Sequence, residues 1–105
     1  MIGLGKWKSN IDHTLFKGII TLYIADNNGE YSFDAEVEGA GELDFPDFTV
    51  SDVTENGNCL EGVIKVTFMP AKIKFHFEFD NDLMNGYIKI PFVGDVKIEN
   101  AQKID

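Results

Sequence analysis

A chain of 105 residues with 44% hydrophobic content is the size of one domain, long enough to bury about two thirds of its unfolded surface without staples. Its net charge of -9 comes from 18 acids against nine basic residues, every one of them lysine. That balance repels phosphate backbones and excludes nucleic acid and anionic membrane as partners, and the lack of arginine weighs against nucleotides and acidic metabolites. Cys59 is the single cysteine and has no internal disulfide partner, while Met1 to Lys8 is charged too early for a signal peptide. The expected setting is therefore reducing and cytoplasmic, and no apolar run approaches the ~20 residues that a membrane helix needs.

The acidic excess is uneven: residues 1–61 hold three lysines and twelve acids, and residues 62–105 hold six of each. Along the chain, apolar residues alternate with polar ones. Gly5 to Ile11 sets Gly5, Trp7, Ser9 and Ile11 on one face, which predicts a first strand. Phe16 to Ala25 puts Phe16, Gly18, Ile20, Leu22 and Ile24 inward, and Asp26-Asn27-Asn28-Gly29 is a hairpin turn. Glu30 to Glu38 alternates Tyr31, Phe33, Ala35 and Val37 with polar neighbours before Gly39-Ala40-Gly41. From Glu42 to Thr54 the parity slips around Pro46, which predicts a bulged or bent fourth strand.

Glu55-Asn56-Gly57-Asn58 turns into a fifth strand with Leu60, Gly62, Ile64, Val66 and Phe68 inside. The clearest pattern follows at Lys72 to Asp80, where Ile73, Phe75, Phe77 and Phe79 alternate with charged residues and His76. After Asp80-Asn81-Asp82 the parity resumes at Met84, Gly86, Ile88 and Ile90, and a last strand carries Gly94, Val96 and Ile98. No stretch keeps a 3.6-residue period. The fold class is all-β, an eight-stranded antiparallel up-and-down barrel in one domain spanning 1–105, closed by strand eight on strand one. A two-sheet sandwich is the competing arrangement.

In a meander the connections alternate ends. The tight Asn/Asp/Gly turns gather at one pole with Trp7, whose ring would plug the floor, and the looser apolar connections gather at the other with His13. Gly5-Lys6-Trp7 resembles the Gly-x-Trp motif on the first strand of lipocalins and related calycin barrels. That resemblance implies binding of small hydrophobic molecules. The candidate ligand-binding rim is His13, Phe16, Val37, Leu43, Phe68, Met69, Ile73, Ile90 and Phe92.

Two other readings compete with a carrier. A packed barrel could serve as an interaction or oligomerisation module through its acidic first half, or through the outward Ile19, Tyr23, Val63, Leu83 and Tyr87 as a homodimer patch. An enzyme would need His13 as a base, with Asp12, Asp44 or Asp47 as its partner. The inward face carries only Ser9 and the Tyr31 hydroxyl as polar groups, so catalysis inside the barrel has little to work with and no catalytic residue is assigned. His76 is expected to be a cross-strand surface neighbour of Tyr87. Two histidines and one cysteine at unrelated spacings argue against a zinc site, and no cofactor is implied.

Overall fold

The alternation that marks Lys72 to Asp80 has its physical counterpart in burial: Ile73, Phe75, Phe77 and Phe79 are all at most 9% exposed, while Lys72, Lys74 and Asp80 face solvent. The computed structural model describes residues 1–13, 16–41, 48–66, 69–91 and 94–104, with the backbone alone described at 13, 16, 40, 41 and 69–71. Eight strands follow one another: β1 Gly5–His13, β2 Phe16–Asn27, β3 Glu30–Gly41, β4 Phe48–Asn56, β5 Cys59–Val66, β6 Met69–Asp80, β7 Leu83–Ile90 and β8 Gly94–Lys103. No helix among the described residues is long and apolar enough to cross a membrane.

The strands form one continuous antiparallel sheet in the order β3-β2-β1-β8-β7-β6-β5-β4. A single sheet that curls so far is a nearly closed up-and-down barrel rather than a two-sheet sandwich. The expected closure of β8 on β1 is present, with Trp7 opposite Lys103 and Lys8 opposite Gln102. The remaining seam runs instead between β3 and β4, the two ends of the strand order. At its lower end Tyr31 of β3 stitches it, accepting the Ile2 N–H at 2.8 Å and donating its hydroxyl to the Glu55 carboxylate of β4.

Turn chemistry explains the tight pole. Asn28 and Gly29 have φ of 56° and 89°, the left-handed pair that a two-residue hairpin requires, and the Asp26 carboxylate accepts the Gly29 N–H at 2.8 Å. Between β6 and β7 the two-residue loop Asn81-Asp82 has a single left-handed residue, Asn81, with φ of 57°. Trp7 plugs this floor. It is 2% exposed, lies 5.1 Å from Phe79 at 51°, and donates its indole N–H to the Gly3 carbonyl at 2.9 Å. Around it Leu60, Met84, Ile98 and Ala101 are at most 1% exposed.

The fourth strand is bulged within the expected span. Its described part begins at Phe48, and residues 42–47, with Pro46 and Leu43, lie outside the described residues. The irregularity that is described falls between Ser51 and Thr54, where Asp52 takes φ of 55°. Asp tolerates this left-handed conformation better than most residues, and the extra residue returns Val53 to the inward face after Phe48 and Val50.

Candidate functional site

The strand register gathers the described rim candidates at the pole opposite Trp7. His13 faces Phe16 across the β1–β2 hairpin, Val37 faces Ile20, Met69 faces Val66, Ile73 faces Ile64, and Ile90 faces Gly94. Leu43, Phe68 and Phe92 lie outside the described residues, as do the side chains of His13, Phe16 and Met69. Ile73 is 7% exposed and belongs to the core.

Inward-facing apolar residues change character along the barrel axis. Around Trp7 they are sealed, whereas toward the rim they are mixed: Val37, Ile64, Ile88, Ile90 and Val96 are half-buried, while Ile11, Ile20 and Ile73 at similar levels are at most 8% exposed. The middle is filled by aromatic rings: Phe33 lies 5.5 Å from Phe75, and Phe75 stacks on Phe77 at 4.8 Å. Gly62, which could have left space, does not. A side chain there would stand 2.7 Å from the Phe75 ring, so the ring already occupies that volume. Half-buried apolar surface continues down the seam through Tyr31, Phe33 and Ala35 on β3 and Val50 and Val53 on β4.

The polar groups on the inner face are spoken for by structure. Ser9 is 6% exposed and its hydroxyl lies 3.3 Å from the Asn10 carbonyl and 3.4 Å from that of Glu99. Tyr31 is committed to Ile2 and Glu55. Of the carboxylates considered for His13, Asp12 sits 3.7 Å from the Lys17 ammonium, and Asp44 and Asp47 lie outside the described residues. Toward the rim from the Trp7–Lys103 pair, a hollow of about 250 Å³ lies between β1 and β8. It is lined by Asn10 to Asp12 and by Asp95 to Lys97 with Glu99.

A second group of side chains meets on the outer face of β5, β6 and β7. Cys59 is directly opposite Glu78, and Glu61 is directly opposite His76. The His76 ring puts Nδ1 3.3 Å from Glu61 Oε2 and Nε2 3.1 Å from Glu78 Oε1, and it stacks on Tyr87 at 5.4 Å and 17°. The expected His76–Tyr87 neighbourhood is thus present. The hydrogen bond to Glu78 is the main reason the imidazole is held above its usual range; burial opposes this and Glu61 reinforces it. Burial pushes the Cys59 thiol up, with the Glu78 and Glu61 carboxylates adding to the effect.

Linear spacing hides this group because a bulge sets its register. Val66 faces Met69, and an uninterrupted ladder from there would set Cys59 opposite His76 and Glu61 opposite Lys74. The irregularity between Ile64 and Val66 advances β6 by two residues, which keeps every side chain on its face but changes its partner. Compared with protein families, curated proteins and solved structures, the chain matches none.

Proposed function

We propose that this chain is a small lipocalin-like, calycin-type barrel that binds an apolar or amphipathic small molecule through the rim opposite Trp7, in a reducing, cytoplasmic setting. The observation that carries the reading is the set of half-buried inward residues Val37, Ile64, Ile88, Ile90 and Val96 in the half of the barrel away from the sealed cluster of Trp7, Leu60 and Met84. Apolar side chains left half-wet on a concave surface gain by covering themselves with a guest, at about 25 cal/mol per Å². The filled middle limits that guest to the upper tier.

Lys65, Lys72, Lys74 and Lys89 are exposed on the outer face of the rim half of β5, β6 and β7, away from the inward tier. Dodecanoate is a suitable probe. The reading expects one dodecanoate retained per chain in native mass spectrometry, with a rise in melting temperature. At a hundred times the dissociation constant the stabilisation is about 2.7 kcal/mol. Ile90→Asp, which sets a charge in the upper tier, abolishes both effects. No retained ligand and an unmoved melting temperature would sink the reading.

A packed barrel acting as an interaction module is the second reading, favoured by one observation: β3 and β4 end the strand order without a ladder between them. An enzyme centred on His13 has less support, since its one described carboxylate candidate, Asp12, already pairs with Lys17.

A further inference from the structure

We propose that Cys59, His76 and Glu78 form a binding site for a borderline divalent transition metal, Zn²⁺ being the type, on the outer face of β5 and β6 and independent of the rim. One ligand atom from each of the three residues lies within 4.8 Å of the other two. A tetrahedral zinc ion with bonds of about 2.0 to 2.3 Å separates its donors by roughly 3.3 to 3.6 Å. The 3.1 Å between His76 Nε2 and Glu78 Oε1 is already close to that, and the thiol lies within 4.8 Å of a donor atom on each. Sulfur, imidazole nitrogen and carboxylate oxygen together are a donor set that suits zinc and its neighbours and disfavours calcium or magnesium.

The strands make the site. Cys59 and Glu78 are paired across β5 and β6, and His76 lies two residues from Glu78 on the same outward face, so three donors converge from a rigid ladder rather than from a loop. A second observation points the same way. Glu61 lies 3.3 Å from His76 Nδ1, where it accepts that N–H and leaves Nε2 turned toward Glu78. A carboxylate behind a ligating histidine fixes the ring and raises its basicity as a ligand. On the other side Tyr87 stacks on the imidazole and restricts its rotation.

Asn58 holds the metal-free thiol in place, through a bond that the thiolate gives up when it takes a metal. Its side-chain amide donates to the Phe79 carbonyl at 2.8 Å, and its oxygen accepts from the Cys59 thiol at 3.6 Å. A hollow of about 310 Å³ adjoins His76 and Glu78 and is also lined by Asn85, Tyr87 and Lys97. Cys59 does not line that hollow, so with three protein ligands the fourth position falls to water on the exposed face.

The test uses the full chain, stripped with chelator and titrated with Zn²⁺ and with Co²⁺. One metal per chain is expected by native mass spectrometry. The Co²⁺ form should show a thiolate-to-metal charge-transfer band in the near ultraviolet together with intense visible bands of a four-coordinate ion. Cys59→Ser, His76→Asn and Glu78→Gln should each weaken Zn²⁺ binding more than Glu61→Gln does, for which about a 10- to 100-fold loss is expected. Asp34→Asn on β3 should leave it unchanged. Because these side chains are on the outer face, unchanged circular dichroism checks that each variant is folded. No metal uptake, a Co²⁺ spectrum without the thiolate band, or Cys59→Ser binding as tightly as the parent would each overturn the proposal.

Discussion

Tyr31 shows how one side chain holds the seam. Its hydroxyl takes the N–H of Ile2 and gives its proton to Glu55, so it ties the N-terminal segment, β3 and β4 at one point. Burial first, and then the bond to Glu55, hold the phenol above its usual value. A raised folded pKa means the contribution is fully present below the unfolded value of about 10 and is lost as pH climbs through the folded value. Tyr31→Phe should cost about 1 to 2 kcal/mol at neutral pH. In urea melts from pH 7 to 11 the gap between parent and variant should close above pH 10; a constant gap would contradict the linkage.

Glycine positions separate in the same way. At Gly86 a Cβ would run into the β6 backbone, 2.9 Å from Phe77 Cα and closer still to the His76 carbonyl, so Gly86→Ala should cost about 3 kcal/mol. Gly57 has open space around it and needs only its φ of 64°, which puts Gly57→Ala at about 1 kcal/mol. Denaturant midpoints of the two variants check the contrast.

At the scale of the strand, β3 and β4 are edges, and unpaired edges invite self-pairing. β3 answers with outward Asp34, Glu36 and Glu38, while its inward Tyr31, Phe33, Ala35 and Val37 stay half-buried. Replacing all three acids with threonine should leave the strand intact and produce concentration-dependent self-association in sedimentation velocity. A monomer at every concentration would mean that the seam is protected by something other than charge.

The strands themselves were legible. Ile73 to Phe79 alternates so regularly that its inward face follows from period alone, and Asn28-Gly29 dictates its turn. What periodicity does not encode is pairing. The seam falls between β3 and β4, and the cluster at Cys59 depends on a bulge near Lys65 that shifts β6 by two residues without changing which side chains face out. Of the rim residues, the pole they share was readable because meander ends alternate. The commitment of Ile73 to the core was not, since inward parity looks the same at a mouth and in a packed layer.

On the scale of the whole barrel the two poles differ in packing and in charge. The floor has Trp7, Phe79, Leu60 and Met84 interlocked, and the opposite half has half-buried aliphatics ringed on one side by lysines. Stability should follow that division. Leu60→Ala, at 0% exposure, should cost about 2 to 5 kcal/mol, and the half-buried Ile90→Ala distinctly less. The same division defines where a guest can sit. Titrating isotope-labelled protein with dodecanoate and following backbone amide shifts tests it most directly. The account predicts saturable shifts at Val37, Ile64, Ile88, Ile90 and Val96 with Trp7, Leu60 and Met84 unmoved; shifts centred on the floor or the outer face, or none that saturate, would contradict it.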